Sequence, residues 1–365
     1  MLGLGAVAEP HLEAYSRLDT VEVVGVVEPR SERRAEVGAR YGVAGFATWE
    51  ELLAKGRPDI ACLLTPASTH RDLTVRCAAA GVHVLCEKPM AVTLDDANAM
   101  ARACTEAGVS FFYGSSYRFL PAIQRARELI AAGAIGSIRF MTEQVIGGQG
   151  AAAHRPLSAI HYPEGGPGGG GYGLVDHGIH LLDIFPWLCG AQITHAFGRG
   201  DRTGAEPRVE FAVLQMAQTL GLLAYDASTW PAELPTEGVF SQGRQWLDGR
   251  GWMGESGEWD AGAGTIRIHG TEGAMRIFHY ANKLFVNRGG RWFEQKLAEH
   301  STPWHFGRQM QEFCGNLDRG EPAAVSALDG IRALRALHAV YGSEEIGRWG
   351  LIEDVSANAG NVSHG

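Results

Sequence analysis

The sequence predicts a doubly wound parallel α/β domain followed by an α+β domain built on an antiparallel sheet. Three observations carry that expectation. Up to about Tyr117, short apolar runs alternate with helical stretches that close on glycine, the rhythm of repeated β-α-β units. Beyond Pro121 that rhythm gives way to apolar or alternating runs separated by turns. The 365 residues, at roughly 150 per domain, suit two domains better than one or three. The boundaries read as 1–120 for the first domain, 121–355 for the second and 356–365 for a small, polar, frayed tail.

In chain order, residues 21–27, 60–65, 82–86 and 109–113 are apolar runs of the kind buried on both faces of a parallel sheet. Helices are predicted at 31–41, 48–55, 70–80 and 94–107, followed by Gly42, Gly56, Gly81 and Gly108. In the second half, a helix at 122–132 leads to a strand at 137–146, a glycine-laden segment at 147–173 and a helix at 174–188. Runs at 209–224, 265–269, 275–279 and 283–286 read as antiparallel strands, with Gly270-Thr271-Glu272-Gly273 as a turn. Helices at 303–317 and 327–347 close the domain, and 232–264 is an excursion from the sheet.

Composition excludes several function classes. With 32 basic against 41 acidic side chains the formal charge is -9, which repels phosphate backbones and anionic lipid, so neither nucleic acid nor a membrane is expected as partner. Hydrophobic content of 45% and charged content of 20% are globular values. No long apolar window or signal-peptide pattern is present. The six cysteines form no C-x-x-C pair and read as core thiols of a reducing, cytoplasmic setting.

Three motifs carry chemistry. Gly3-Leu4-Gly5-Ala6-Val7-Ala8 is a G-x-G-x-x-A turn opening a helix, with Glu28 at the end of the next strand. Glycines let backbone N–H groups approach a pyrophosphate, and the carboxylate accepts hydrogen bonds from ribose hydroxyls. Gly3, Gly5, Ala6, Val7 and Glu28 are therefore candidate dinucleotide ligands. Glu28 favours NAD over NADP, because a 2'-phosphate would meet a like charge, although Arg30, Arg33 and Arg34 lie close enough to blur the preference. Only Met1 and Leu2 stand where the central strand should precede the turn, and the expected start lies upstream. The second motif, Cys86-Glu87-Lys88-Pro89, ends a parallel strand, where ligands of such sheets sit. Lys88 can stabilise a developing alkoxide or polarise a carbonyl, and the following X-Pro bond is a candidate cis peptide. The third, Asp176-His177-Gly178-Ile179-His180-Leu181-Leu182-Asp183, sets Asp176 and His180 on one helix face, a carboxylate beside an imidazole as general-base work requires. A metal site of Asp176 and His180 with His154 or His161 has no supporting spacing, so no metal is expected.

Together with Thr65-Pro66-Ala67-Ser68-Thr69-His70, Tyr117-Arg118-Phe119, Gly169-Gly170-Gly171 and the Gly270 to Gly273 turn, these motifs resemble, in order and over nearly the whole chain, the glucose-fructose oxidoreductase/inositol dehydrogenase/rhizopine catabolism (Gfo/Idh/MocA) family. The resemblance implies an N-terminal Rossmann domain and a C-terminal domain whose large open sheet walls the substrate site and often mediates dimers or tetramers. It makes Lys88 the catalytic lysine, Asp176 the substrate-binding aspartate and His180 the general acid/base. It runs Thr65, Pro66 and His70 past the cofactor, with Ala67 where Asn is common, and sets Glu87 and Arg118 near the nicotinamide. The glycine-rich segment, with His154, His161 and Tyr172, reads either as a lid over a substrate larger than a monosaccharide or as a surface insertion. Tyr117, His154 and Tyr172 are candidates for substrate contact, and Trp230 for stacking on a sugar ring. The reaction expected is NAD-dependent oxidation of a secondary hydroxyl on a sugar, glycoside or cyclic polyol. A redox-neutral hydrolase, lyase or epimerase using transient oxidation, and a non-catalytic NAD-binding regulator, are the alternatives.

Overall fold

The computed structural model describes residues 1–352 apart from 6, 147–172, 201–208, 227–264, 280–281 and 299–302. The N-terminal half runs α1 (Ala8–Tyr15), β1 (Val26–Val27), α2 (Ser31–Tyr41), β2 (Gly45–Phe46), α3 (Trp49–Leu53), β3 (Ile60–Leu63), α4 (His70–Ala79), β4 (His83–Glu87), α5 (Leu94–Glu106) and β5 (Phe111–Gly114). The ends follow from local chemistry. Thr48 and Thr93 cap α3 and α5 by accepting from the Glu51 and Asp96 N–H groups, and Gly42 closes α2 at φ +67°, where a side chain would be strained.

The five strands among the described residues pair in parallel: β2 with β1, and β3-β4-β5 in a row. Leu2 joins the two groups, bridging Val27 on one side and Leu63 on the other. Its N–H donates to the Cys62 carbonyl at 2.8 Å and its own carbonyl accepts from Leu64 at 2.8 Å. Met1 and Leu2 thus hold the central strand position. The Met1 ammonium donates to the Gly25 carbonyl at 2.8 Å, and burial lowers its pKa. Of the strand expected over 21–27, Val26–Val27 forms β1. Alongside 21–25, a cleft of about 590 Å³ opens toward residues 57–62 and Met310.

The second half comprises α6 (Pro121–Ala131), β6 (Ile138–Ile146), a π-helical turn (Leu174–Gly178), α7 (Ile179–Cys189), β7 (His195–Gly200), β8 (Val209–Met216), β9 (Thr219–Asp226), β10 (Thr265–Gly270), β11 (Gly273–Phe278), β12 (Lys283–Arg288), β13 (Arg291–Glu294), α8 (Trp304–Asp318), α9 (Ala327–Ile346) and β14 (Gly350–Leu351). Among the described residues, nine strands form one sheet, ordered β13-β12-β11-β10-β6-β9-β8-β7-β14, antiparallel except where β6 runs parallel to β9. The run expected at 209–224 is a hairpin, turned at Ala217 with φ 49°. Strands β7, β13 and β14 were not expected. In β7, Gly198 lets α9 close over the sheet: a Cβ there would lie 2.3 Å from Val340 Cγ1.

Among the described residues, one buried apolar cluster draws on both halves of the chain. On the sheet, Phe140 and Leu220 pair in register and are both exposed, as are Trp292 and Phe293 on the edge strand β13. Among the described residues, no helix is long and apolar enough to cross a membrane.

Candidate active site

A cleft of about 890 Å³ opens at the C-terminal ends of β1, β3 and β4 and continues to the second half. Such a volume is typical of small-molecule sites. The glycine turn forms one wall. Gly3 sits at φ +90°, and a Cβ on it would lie 2.7 Å from Thr65 Cγ2 and 2.9 Å from the Leu64 carbonyl, so only glycine fits. A Cβ on Gly5 would meet nothing within 4 Å, which leaves that backbone open to a close ligand. Val7 precedes α1 and lines the same wall, whereas Ala6 lies outside the described residues.

Glu28 is buried at the mouth of β1 and accepts from Leu4 N–H at 3.0 Å. It also accepts from Arg30 Nε at 2.8 Å and Nη2 at 3.0 Å. The Arg30 hydrogen bonds hold its pKa down, at about 2, against the opposing effect of burial. The neighbouring arginines turn to protein acceptors: Arg33 to the Leu4 carbonyl and Glu9, Arg34 to the Glu28 and Pro29 carbonyls.

Thr65 and Pro66 line the cleft, with Thr69 Oγ1 2.7 Å from Thr65 Oγ1. His70 does not. Its imidazole is fully buried behind the loop, with Nε2 2.8 Å from the Thr65 carbonyl and Nδ1 near the Pro89 and Met90 carbonyls, and so braces the two segments together. Glu87 reaches the cleft, accepts from Lys88 N–H at 3.1 Å and pairs with His11 Nε2 at 2.9 Å. The Lys88-Pro89 bond is cis.

Lys88, from the first half, and Asp176, from the π-helical turn of the second, meet in this cleft. The ammonium donates to Asp176 Oδ1 at 2.6 Å and to the Asp176 carbonyl at 2.9 Å. His180, the second residue of α7, lines the same cleft and is 3% exposed. Both of its ring nitrogens are buried without a hydrogen-bond partner among the described residues. Burial first, then the nearby Lys88 charge, pushes its pKa well below the ordinary value, so the imidazole is neutral and able to accept a proton. Tyr117 lies flat against it, with ring centroids 3.8 Å apart and planes 3° off parallel.

Arg118 is not brought to the cleft. Its guanidinium, buried, donates through Nε to Asp183 Oδ2 at 2.7 Å and through Nη2 to Asp183 Oδ1 and, at 3.1 Å, to Asp329. The arginine expected beside the nicotinamide instead ties α7 and α9 to the loop after β5. His154 and Tyr172, with His161 and Trp230, lie outside the described residues. Sequence reasoning missed Phe306 of α8 and Ser116, which line the cleft. Ser116 adjoined a motif already singled out, while nothing in the sequence pointed to Phe306. It also missed Glu143, His177 and His279, three buried residues whose ligating atoms lie within 4.8 Å of one another.

Comparison with known proteins bears on the family and the fold. The family model for the Gfo/Idh/MocA oxidoreductase family, NAD-binding Rossmann fold, matches residues 1–115, and that for the family's C-terminal domain matches 123–276. The D-apiose dehydrogenase of Paraburkholderia graminis is 26% identical over 100% of this chain and 92% of its own length. The myo-inositol 2-dehydrogenase of Thermotoga maritima is 25% identical over 97% of this chain and 98% of its own. Among solved structures, the aldose-aldose oxidoreductase of Caulobacter crescentus superposes with a TM-score of 0.77 at 22% identity, covering 96% of this chain and 98% of that one.

Proposed function

The chain belongs to the Gfo/Idh/MocA family of NAD-binding oxidoreductases, and from that premise we propose that it oxidises a secondary hydroxyl of a sugar, glycoside or cyclic polyol, or reduces the corresponding ketone. The observation that carries the proposal is the convergence of Lys88, Asp176 and His180 on the cleft that begins at the glycine turn. Gly3, Gly5, Val7, Glu28, Thr65 and Pro66 fit a dinucleotide: the cradle excludes a Cβ at Gly3, and a carboxylate stands at the end of β1. When bound, NAD supplies the acceptor for the hydride that leaves the carbinol carbon.

An alcohol is too weak an acid to ionise unaided. Lys88 stabilises the alkoxide-like charge that develops on the substrate oxygen, and neutral His180 accepts the hydroxyl proton. Asp176 holds the Lys88 ammonium and accepts a hydrogen bond from a neighbouring substrate hydroxyl. Tyr117 keeps the His180 ring in one plane. In the reductive direction the same groups act in reverse, His180 returning the proton. Glu28 in the ribose position supports NAD over NADP. The exposed Phe140, Leu220, Trp292 and Phe293 support a dimer or tetramer formed through the sheet, which sedimentation would measure.

The test is incubation with NAD and a panel of sugars, glycosides and cyclic polyols. Reduced nicotinamide formed in a one-to-one ratio with ketone supports the proposal. Product formed without net reduced nicotinamide identifies a redox-neutral enzyme, and no reaction with any member identifies a binding protein.

A further inference from the structure

Beside the stacked Tyr117 and His180 rings, with the His177 centroid 5.7 Å from the first and 6.3 Å from the second, the second half buries three residues that the reaction above does not use. Glu143 comes from β6, His177 from the π-helical turn and His279 from the residue following β11. Glu143 and His279 are fully buried and His177 is 4% exposed. One carboxylate oxygen, Oε2, accepts from Tyr225 Oη at 3.1 Å and lies 2.9 Å from His177 Nε2. The other, Oε1, has no hydrogen bond among the described residues and faces His279 Nε2 at 3.7 Å.

We propose that Glu143, His177 and His279 form a binding site for a divalent transition-metal ion of the zinc class. Several features point the same way. A buried carboxylate oxygen without a donor is costly unless a cation or a proton meets it, and here it is directed at an imidazole nitrogen. The three ligating atoms lie within 4.8 Å of one another, close enough to share one ion at ligand distances of about 2.0–2.2 Å after small side-chain adjustments. Two imidazole nitrogens and one carboxylate are a donor set suited to zinc or cobalt and poorly suited to magnesium or calcium, which prefer oxygen. Tyr225, bound to Glu143 Oε2, supplies the orienting hydrogen bond that ligating carboxylates commonly receive. Three protein ligands leave a fourth position open to water or a ligand oxygen.

The ring contacts connect this cluster to the reaction centre. The His177 and His279 centroids are 6.0 Å apart, and each lies within 5.7 Å of the Tyr117 ring that stacks on His180. An ion here would fix the wall against which Tyr117 and His180 are packed, a positioning role for all three ligands.

The experiment reads binding rather than turnover, so it is independent of whether the oxidoreductase reading holds. The full chain is stripped with a chelator, dialysed free of it and titrated with cobalt(II), then with zinc. The expected result is visible d–d absorption of low-symmetry cobalt that saturates at one equivalent, disappears on adding zinc, and is lost in Glu143→Gln and His279→Gln. Tyr225→Phe should keep the stoichiometry and weaken affinity about 10- to 100-fold. NAD binding, followed by fluorescence, checks that each variant is folded. Absence of the bands in the wild-type chain overturns the proposal without recourse to any variant. Bands that persist at full stoichiometry in both ligand variants overturn it as well, since the ion would then sit elsewhere.

Discussion

Replacing Lys88 with methionine removes the ammonium and keeps an unbranched stem. The structure sets two separate consequences. First, Asp176 loses a partner 2.6 Å away in a pair whose side chains are 9% and 12% exposed. At an effective dielectric of about 20 the gross attraction over that distance is about 6 kcal/mol, most of it offset by desolvation. Removing one partner of a buried pair typically costs about 3–5 kcal/mol, and this pair, at the edge of an open cleft, belongs at the lower end. Second, the developing alkoxide loses its electrostatic support, which should lower kcat by about 100- to 1000-fold. The assay is kcat and KM for the best substrate of the panel, with urea midpoints and NAD affinity measured in parallel. Adding Asp176→Asn removes the stranded carboxylate, so the double variant should regain most of the lost stability and none of the lost rate. A Lys88→Met enzyme turning over at the wild-type rate, or a double variant that recovers rate along with stability, would refute the assigned role.

Four further outcomes follow from the geometry. His180→Ala should lower kcat about 100- to 10,000-fold with NAD affinity unchanged, and the wild-type kcat/KM profile should show no inflection near pH 6.5, because the folded imidazole stays neutral to well below that value. The same depressed pKa makes the unfolded chain bind the proton first, so stability is full above pH 6.5 and falls by up to about 1.4 kcal/mol per pH unit below it, a slope that His180→Ala should flatten. Gly3→Ala forces a side chain into φ +90° with its Cβ 2.7 Å from Thr65 Cγ2 and should cost about 1–3 kcal/mol while weakening NAD binding, read by thermal melting with and without NAD. Arg118→Met strands the buried Asp183 carboxylate and should cost about 3–5 kcal/mol in urea denaturation, a loss that Asp183→Asn should partly reverse.

What the sequence made legible was local. Gly42, Gly81 and Gly108 mark helix ends because their positive φ is a short-range requirement, and α2, α4 and α5 end within two residues of the expected positions. The i,i+4 spacing set Asp176 and His180 side by side in the chain, and Lys88 stood at a strand end, the place where such sheets hold ligands. Whether a cation faces a ligand or a carboxylate is instead decided by distant neighbours. Arg118 is claimed by Asp183 and by Asp329, 211 residues away, and His70 by the carbonyls of Pro89 and Met90. Both look like cleft residues from their motifs alone. Strand β7 was illegible because His195 to Gly200 carries two glycines and a polar outer face, and its pairing with β8 and β14 is a property of the sheet. Glu143, His177 and His279 come from three elements that share no sequence pattern, so only the folded chain brings them together.

In the proposed reaction one lysine and one aspartate-histidine couple, contributed by opposite halves, address the same nicotinamide ring. A crystal structure of the NAD complex tests it most directly. The expected complex has the adenosine ribose at Glu28, the pyrophosphate over Gly3 and Gly5, and the nicotinamide ring between Lys88 and His180. A nicotinamide lying elsewhere in the cleft, with Lys88 and His180 both out of reach of its C4 face, would contradict it.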